Sequence, residues 1–305
     1  MKVENGERFV HMLQNFANND DLIESHNAGN STYTLGHNKF SHLSLDEWRA
    51  YVRLGLNRPT ELEPPANIHQ APVDLTTLAT EIDWTTKGGA VSAVKDQGQC
   101  GSCWSFSTTG ALEGAHFNHY AKAISLSEQH LVDCDTPRNG GSDLGCNGGL
   151  MDSAFTWIKK NGGIATEVDY PYFSGTTKSN GACQDATKTK ASTLTSYTDV
   201  ATNSDTALMS ALNKQTVSVA IEADQSAFQL YKSGVFTGTC GANLDHGVLA
   251  VGYGTLNGVD YYKVKNSWGA SWGSQGYILL ARGSSYNKGA GQCGILAGPP
   301  SYPNI

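Results

Sequence analysis

Cys103 stands in the segment QGQCGSCWSFS (97–107), at the predicted start of a helix. The first turn of a helix offers unpaired backbone N–H groups and the positive end of the macrodipole, and both favour a thiolate. A thiolate is the form of cysteine that attacks a carbonyl carbon. Three other roles use the same residue type: half of a disulfide, a zinc ligand, or a redox pair with Cys100, since positions 100 and 103 have C-x-x-C spacing. Zinc requires a second pair at ligand spacing, which the chain lacks, and a redox C-x-x-C belongs beside a βαβ unit, whose pattern is absent. The chain holds seven cysteines, at 100, 103, 134, 146, 183, 240 and 293. An odd count reads as three pairs and one thiol left over.

CGSCW (100–104) resembles the signature of papain-like cysteine proteases. The similarity continues in LDHGVLAVGYG (244–254) and KNSWGASWGSQGY (265–277) and covers nearly all of 82–305. The resemblance implies Cys103 as nucleophile, His246 as general base and acid, and Asn266 as the residue that orients the imidazole. It also implies Trp268 as a shield over that hydrogen bond, and Gln97 as the side chain that joins the Cys103 backbone N–H in an oxyanion hole. Elementary chemistry asks for the same set. A thiol attacks a peptide carbonyl efficiently once an imidazole takes its proton, and that imidazole later delivers the proton to the leaving amine. A side-chain amide fixes the ring, and the oxygen of the tetrahedral intermediate needs donors at fixed positions. The reaction so implied uses no cofactor and no metal. His116, His119 and His130 are read as structural.

By the same resemblance the other six cysteines pair as Cys100–Cys146, Cys134–Cys183 and Cys240–Cys293. CNGGLMDSAF (146–155) is similar to the cathepsin L branch in particular. There the residues after NGG line the pocket for the substrate side chain two positions before the cut (P2). The carry-over gives Leu150, Met151, Ala220, Leu244 and Gly247, an apolar pocket suited to Leu, Phe or Val. CGILAGPPSYP (293–303) is longer than the usual pattern by a single residue, so Gly298 and Pro299 compete for the pocket floor. Neither is acidic, which speaks against an arginine-accepting floor. No histidine pair follows CNGG as a cleft-blocking loop requires, so the cleft is expected open at both ends, as in an endopeptidase. Two rivals use the same scaffold: a peptide ligase or transpeptidase with the same Cys-His-Asn site, and a non-catalytic storage or binding protein. The second need not keep all four site residues, and here each motif is intact.

These groups come from elements of two kinds. From 100 to about 163 the patterns are helical. They comprise CWSFSTTGALEGAHFNHY (103–120), in which Leu112, Ala115 and His116 share a face; SEQHLVDC (127–134), with Ser127 as N-cap; and LMDSAFTWIKK (150–160), closed by Asn161, Gly162 and Gly163. From 217 onward they are strands: VSVAIEA (217–223), then VLAVGYG (248–254) and DYYKVKN (260–266) about a turn at Leu256, Asn257 and Gly258, then GYILLAR (276–282). Helices first and strands later imply an α+β fold of two lobes with a cleft between them. The resemblance specifies it as the papain-like fold, a helical lobe and an antiparallel β-barrel-like lobe, preceded by a mainly helical inhibitory prodomain.

Residues 59–80 hold Pro59, Pro64, Pro65 and Pro72, which excludes a long helix and marks an extended linker. The boundary is therefore placed near 80, with 1–80 an inhibitory propeptide and 81–305 the peptidase domain. Phe16, Asn19, Ile23 and Asn27 follow helical spacing with one buried face, and a short helix is expected around DEWRAYVRLG (46–55). The helix over 7–27 is too small to stand without a partner. These residues resemble the later part of the family's proregion helix signature, and GHNKFSH (36–42) its GxNxFxD motif. Arg8 and Met12 replace the family's Glu and Arg, so Glu4 and Arg8 are expected to form a displaced pair, and His42 replaces the aspartate. The resemblance implies an inhibitor lying across the cleft until it is cut between about 72 and 82. Five of the nine histidines (His11, His26, His37, His42, His69) lie in this part. They gain charge near pH 5, weakening any interface that holds them neutral, with His42 the expected trigger.

The 305 residues carry 21 Lys plus Arg against 28 Asp plus Glu, a net charge of −7, and are 39% hydrophobic, a foldable globular composition. An acidic balance without basic runs argues against nucleic acid and anionic membrane surfaces as partners. The longest apolar stretches, VLAVGY (248–253) and YILLA (277–281), fall far short of the roughly 20 residues a bilayer demands. The expected partners are protein or peptide substrates, the chain's own propeptide and cystatin-type inhibitors, acting on a monomer. This density of disulfides indicates an oxidising compartment, extracellular or lysosome/vacuole-like. MKVENGERFV contains no apolar signal core, so Met1 is expected to follow a removed signal or to be a recombinant start. Asn30, Ser31 and Thr32 match the glycosylation tripeptide.

Overall fold

The computed structural model describes residues 2–57 and 64–305, with side chains from Gly6 onward in the first helix. Pro59 and the Glu4 side chain lie outside the described residues, so neither that part of the linker nor the Glu4–Arg8 pair is placed. The helices are α1 (Lys2–Asn27), α2 (Leu45–Val52), α3 (Cys103–Tyr120), α4 (Glu128–Cys134), α5 (Met151–Lys160), α6 (Ser174–Thr177), α7 (Asp205–Leu212) and α8 (Ser226–Gln229). The strands are β1 (Tyr33–Leu35), β2 (Asn67–His69), β3 (Ile82–Asp83), β4 (Ser196–Val200), β5 (Val217–Ile221), β6 (Tyr231–Phe236), β7 (His246–Leu256), β8 (Val259–Lys265), β9 (Tyr277–Ala281) and β10 (Ser301–Asn304). They hydrogen-bond in the order β1-β6-β9-β8-β7-β5-β10-β4-β2, with β3 on β7. All pairs are antiparallel except β6–β9 and β2–β4.

Two apolar cores correspond to the two expected lobes. One holds Leu112, Leu131, Phe155, Ile158 and Trp157 from the helices. The other holds Val219, Phe228, Val248, Tyr262, Trp268 and Trp272 from the strand half. Helix α3 lies between them, packed on α4 and α5 on one side and on β5, β7 and β10 on the other. From Cys103 to His116 it is buried at every position but Phe106. That explains why its three-residue apolar face was a weak signal: a helix enclosed on all sides needs no amphipathic stripe. Close approach is met by Gly114, where a Cβ would lie 2.2 Å from Thr216 Oγ1.

Local chemistry sets the ends of these elements. The Ser127 hydroxyl accepts from the His130 N–H at the start of α4. Helix α5 ends at Asn161, followed by Gly162 and Gly163 at φ +72° and +138°. The β7–β8 turn is shorter than the sequence reading gave. Leu256 pairs with Val259 inside the ladder, and only Asn257 and Gly258, at φ +51° and +79°, make the turn. Two consecutive positive φ values are what a type I′ hairpin requires, and Asn-Gly supplies them at low cost.

The first part of the chain is held together through its own polar side chains. Asn19 Nδ2 donates to the carbonyls of Ser41 and Leu43, and Asn27 exchanges hydrogen bonds with the backbone of Leu35. Glu47, which completes a capping box with Ser44 at the start of α2, accepts from Asn15 Nδ2 at 2.7 Å and contacts His11 Nε2 at 3.0 Å. Ile23 is buried as expected, but Phe16 is 42% exposed, stacked on the His37 ring at 4.2 Å. Helical spacing identifies a face and not what covers it. Phe40, Trp48 and Val52 enter the strand-lobe core, where the Trp48 ring meets Trp268 edge-on at 5.5 Å. Trp48→Ala is expected to cost about 3–5 kcal/mol of docking. In a urea titration read by limited proteolysis, residues 1–80 should become susceptible earlier, while the disulfide-braced remainder keeps its transition.

Candidate active site

Cys103 is the first residue of α3, and the Cys100–Cys146 bridge (Cα–Cα 4.6 Å) anchors the loop before it. The other bridges are Cys134–Cys183 and Cys240–Cys293, which leave Cys103 as the free cysteine. His246 is the first residue of β7, held in register opposite Ile221 of β5. Asn266 follows β8 directly, its N–H donating to the Gly276 carbonyl. Two neighbouring strand ends thus deliver the imidazole and the amide, and Asn266 Oδ1 lies 2.8 Å from His246 Nε2. Oδ1 also accepts the Ser267 N–H at 2.7 Å, which fixes the amide's orientation. An acceptor at Nε2 places the ring proton there and leaves Nδ1 bare; Nδ1 has no hydrogen-bond partner. The Trp268 ring, 1% exposed, stacks on the imidazole at 4.8 Å and 22°.

In the intact chain burial works against the expected thiolate. Burial pushes the Cys103 thiol up to about 11, and the Asp245 carboxylate adds to that. The N–H groups of Gly247, Gly55 and Trp104 oppose it and do not prevail. Burial likewise pushes His246 down to about 4, against the Asn266 hydrogen bond. Both groups are fully enclosed, and a charge without water is the larger cost. Burial thus favours the neutral form of both thiol and imidazole.

What encloses them is backbone from residues 52–57. Gly149 N–H donates to the Gly55 carbonyl at 3.0 Å, Asn57 N–H to the Gly149 carbonyl at 3.0 Å, and Leu56 N–H to the Asp245 carbonyl at 3.1 Å. Leu56 runs parallel to Gly149. At Gly55 a Cβ would lie 2.1 Å from the Gly101 carbonyl oxygen, so glycine alone fits beside the thiol. Gln97 points Nε2 at the Val52 carbonyl (3.0 Å) and the Cys100 carbonyl (3.0 Å), while its Oε1 accepts from Ser267 Oγ at 2.7 Å. Ser267 was not foreseen as its holder, although it stands inside the NSWG segment.

Leu150, Met151, Ala220 and Leu244 line a cavity of about 210 Å³, and both floor candidates, Gly298 and Pro299, belong to its wall. Leu56 and Asp152 complete the lining and were missed, the first because nothing in a sequence shows where a propeptide side chain lands. Gly247, expected in this pocket, lies between it and Cys103: a Cβ there would lie 3.0 Å from Met151 Sδ, and its N–H lies 3.4 Å from Cys103 Sγ. Outside the cleft, His130 bonds Asp185 at 2.7 Å and the Ala165 N–H, His116 bonds Ser192, and His119 packs on Tyr120. Among the described residues no group of three metal-binding side chains occurs.

With a thiol near 11, Cys103 of the intact chain is expected to react with iodoacetamide at pH 7 at least ~100-fold more slowly than a free cysteine thiol of pKa ~8.5. Gly55→Ala, whose Cβ collides with Gly101, should accelerate that reaction by on the order of tenfold, measured by mass spectrometry of the alkylated peptide.

Residues 78–302 match the family described as papain family cysteine protease, and residues 3–48 match the cathepsin propeptide inhibitor domain. The chain is 50% identical over 289 residues to the probable cysteine protease RD21B of Arabidopsis thaliana, covering 94% of this chain and 59% of that one. It thus spans about three-fifths of that relative's length. It is 48% identical over 294 residues to the germination-specific cysteine protease 1 of the same plant, covering 94% of this chain and 76% of that one. Among solved structures it is similar to digestive procathepsin L 3 of Tenebrio molitor larval midgut, with a TM-score of 0.83 and 40% identity over 98% of this chain and 92% of that one.

Proposed function

Because the chain belongs to the papain family of cysteine proteases and carries a cathepsin propeptide inhibitor domain ahead of the protease domain, we propose that it is the zymogen of a cysteine endopeptidase preferring a hydrophobic P2 residue. Residues 1–80 act as the inhibitor and 81–305 as the enzyme, with the cut between about 72 and 82. One observation carries the reading: the Val52 carbonyl accepts from Gln97 Nε2 while the Gly55 N–H faces Cys103 Sγ. The chain's own backbone fills the oxyanion position and offers the nucleophile a donor in place of a carbonyl carbon. Leu56 in the wall of the apolar pocket supports the P2 preference.

Removal of this segment admits water and substrate. His246 Nδ1 then takes the Cys103 proton, and the thiolate attacks the scissile carbonyl carbon, pushing its π electron pair onto oxygen. Gln97 Nε2–H and the Cys103 N–H receive that oxygen. Collapse expels the amine, which leaves with the proton from the imidazolium. Water, deprotonated by His246, hydrolyses the thioester and restores the thiol. Protein substrates and cystatin-type inhibitors would compete for this cleft in a monomer. Three disulfides suit an oxidising compartment, secreted or vacuolar. Among the described residues no helix is long and apolar enough to cross a membrane.

Release at acid pH has a better-placed histidine than His42. His69 on β2 bonds Tyr302 Oη and Ser210 Oγ, each at 3.0 Å, with Lys214 Nζ 3.5 Å from Nδ1. Burial first, then Lys214, lowers its pKa below 6.5. Docking thus favours the neutral ring. Its contribution is complete above the ordinary histidine range and is lost as pH falls through that range toward the lowered value. Lys39–Asp96 and Arg49–Asp224 (3.3 Å) also cross the interface.

An epoxysuccinyl thiol reagent is expected to label the processed protein one-to-one at Cys103 and to abolish hydrolysis of a peptide with Leu or Phe at P2. Absence of labelling in reduced, acid-treated protein overturns the enzyme reading. For the pH step, His69→Gln should flatten self-processing between pH ~7 and ~5, whereas His42→Gln leaves the profile unchanged. The opposite pattern returns the trigger to His42.

A further inference from the structure

We propose that the Tyr172 hydroxyl positions the oxyanion hole by tying together the two segments that supply its donors, an inference that rests on the reading of Gln97 as one of them. Tyr172 Oη donates to the Gln97 backbone carbonyl at 2.8 Å and lies 2.8 Å from Ser102 Oγ. A phenol has a single proton. With it committed to Gln97, the Ser102 hydroxyl is the donor of the second bond. Ser102 immediately precedes Cys103, whose N–H is the other donor of the hole.

Two features show that this contact replaces ordinary ones. Ser102 is the N-cap of α3, yet its side chain caps nothing. A serine there normally accepts a first-turn N–H. With the hydroxyl diverted to Tyr172, the first-turn N–H groups are left without that side-chain acceptor. Gln97, for its part, is fixed at every polar atom, its Nε2 donating to the Val52 and Cys100 carbonyls. Its N–H donates to the Ser267 carbonyl at 2.8 Å, its Oε1 accepts from Ser267 Oγ, and its carbonyl accepts from Tyr172.

Tyr172 is itself rigidly seated. Its ring meets Phe106 edge-on at 4.9 Å, and its N–H donates to Glu167 Oε1 at 2.9 Å. The loop behind it packs on the Gln97 loop, with Gln99 N–H donating to the Gly175 carbonyl at 3.0 Å. Burial raises the phenol's pKa, so it remains a donor throughout the working pH range. Nothing in the sequence signals this role: YPY (170–172) reads as an ordinary loop, 67 or more residues from the nucleophile.

The test uses the processed enzyme and a peptide aldehyde, whose hemithioacetal oxygen occupies the hole. Tyr172→Phe keeps the ring and removes the hydroxyl. It is expected to lower kcat about tenfold with KM within about twofold, and to weaken the aldehyde by a similar factor. Labelling of Cys103 by the epoxysuccinyl reagent, which develops no carbonyl oxyanion, should keep its rate. A variant harmed only in its packing would lose labelling and turnover together, and that result overturns the proposal. Ser102→Ala removes the other end of the contact without touching the ring and should weaken the aldehyde alike; unchanged affinity there also overturns it. Gln97→Ala separates the two readings. Weakened aldehyde binding in Gln97→Ala with none in Tyr172→Phe sinks the role of Tyr172 alone, and unchanged binding in both sinks Gln97 as the donor.

Discussion

Backbone hydrogen bonds from Gly55, Leu56 and Asn57 join both walls of the cleft, Gly149 on the helical side and Asp245 on the strand side, directly over the thiol. Main-chain groups are a demanding lid, because each buried N–H and C=O must find a partner. Here the backbone groups of Gly149 and Asp245 serve them. Specificity for the inhibitor therefore needs little sequence information at the contact itself. What it needs is a glycine thin enough to pass Gly101, and an anchor that holds the segment in register.

The anchor lies in the aromatic cluster behind the imidazole. Trp268 stacks on His246 on one side and meets Trp48, Phe40, Phe228 and Trp272 edge-on elsewhere, with centroids 5.0–6.1 Å apart. Edge-to-face contacts of this kind favour a defined geometry beyond the area they bury. The ring stacked on His246 is thus also the surface on which α2 docks. Below the amide side, Lys95 bonds Glu128 at 2.8 Å and sits 3.7 Å from Glu113, linking α3, α4 and the loop that leads to Gln97. Removing one member of such a buried cluster leaves an uncompensated charge, which holds α4 and the Gln97 loop in a fixed position against α3.

Much of this was legible because chemistry dictates residue type. The free cysteine at a helix start, the helix ends marked by Ser127 and by Gly162–Gly163, and the Asn-Gly hairpin each follow from local physics. Leu256 was misplaced by the same logic, since a turn of two residues and one of three differ only in register. The protonation state was not legible. A helix N-terminus favours thiolate, but the sign reverses when chain from fifty residues upstream removes the water. Phe16, Leu56, Gly247 and Tyr172 failed to declare themselves for a related reason: each role is defined by what another part of the chain places against it.

The inhibitory segment is fastened far beyond the cleft. Strand β1 pairs with β6 at one end of the sheet path and β2 with β4 at the other, so residues 1–80 close both outer edges. Docking is intramolecular while the chain is whole, at the effective concentration a short tether imposes. A cut between about 72 and 82 adds no contact and breaks none in the cleft, but it turns docking into a bimolecular equilibrium and frees the β2 end. Once β2 leaves, the Val52 carbonyl and the Gly55 N–H are retained by the cleft hydrogen bonds of Gly55, Leu56 and Asn57, by α2 packing and the β1 edge, and by the Lys39–Asp96 and Arg49–Asp224 pairs. Inhibition strong enough to keep the thiol protonated is thereby compatible with loss of the inhibitor after a single cleavage.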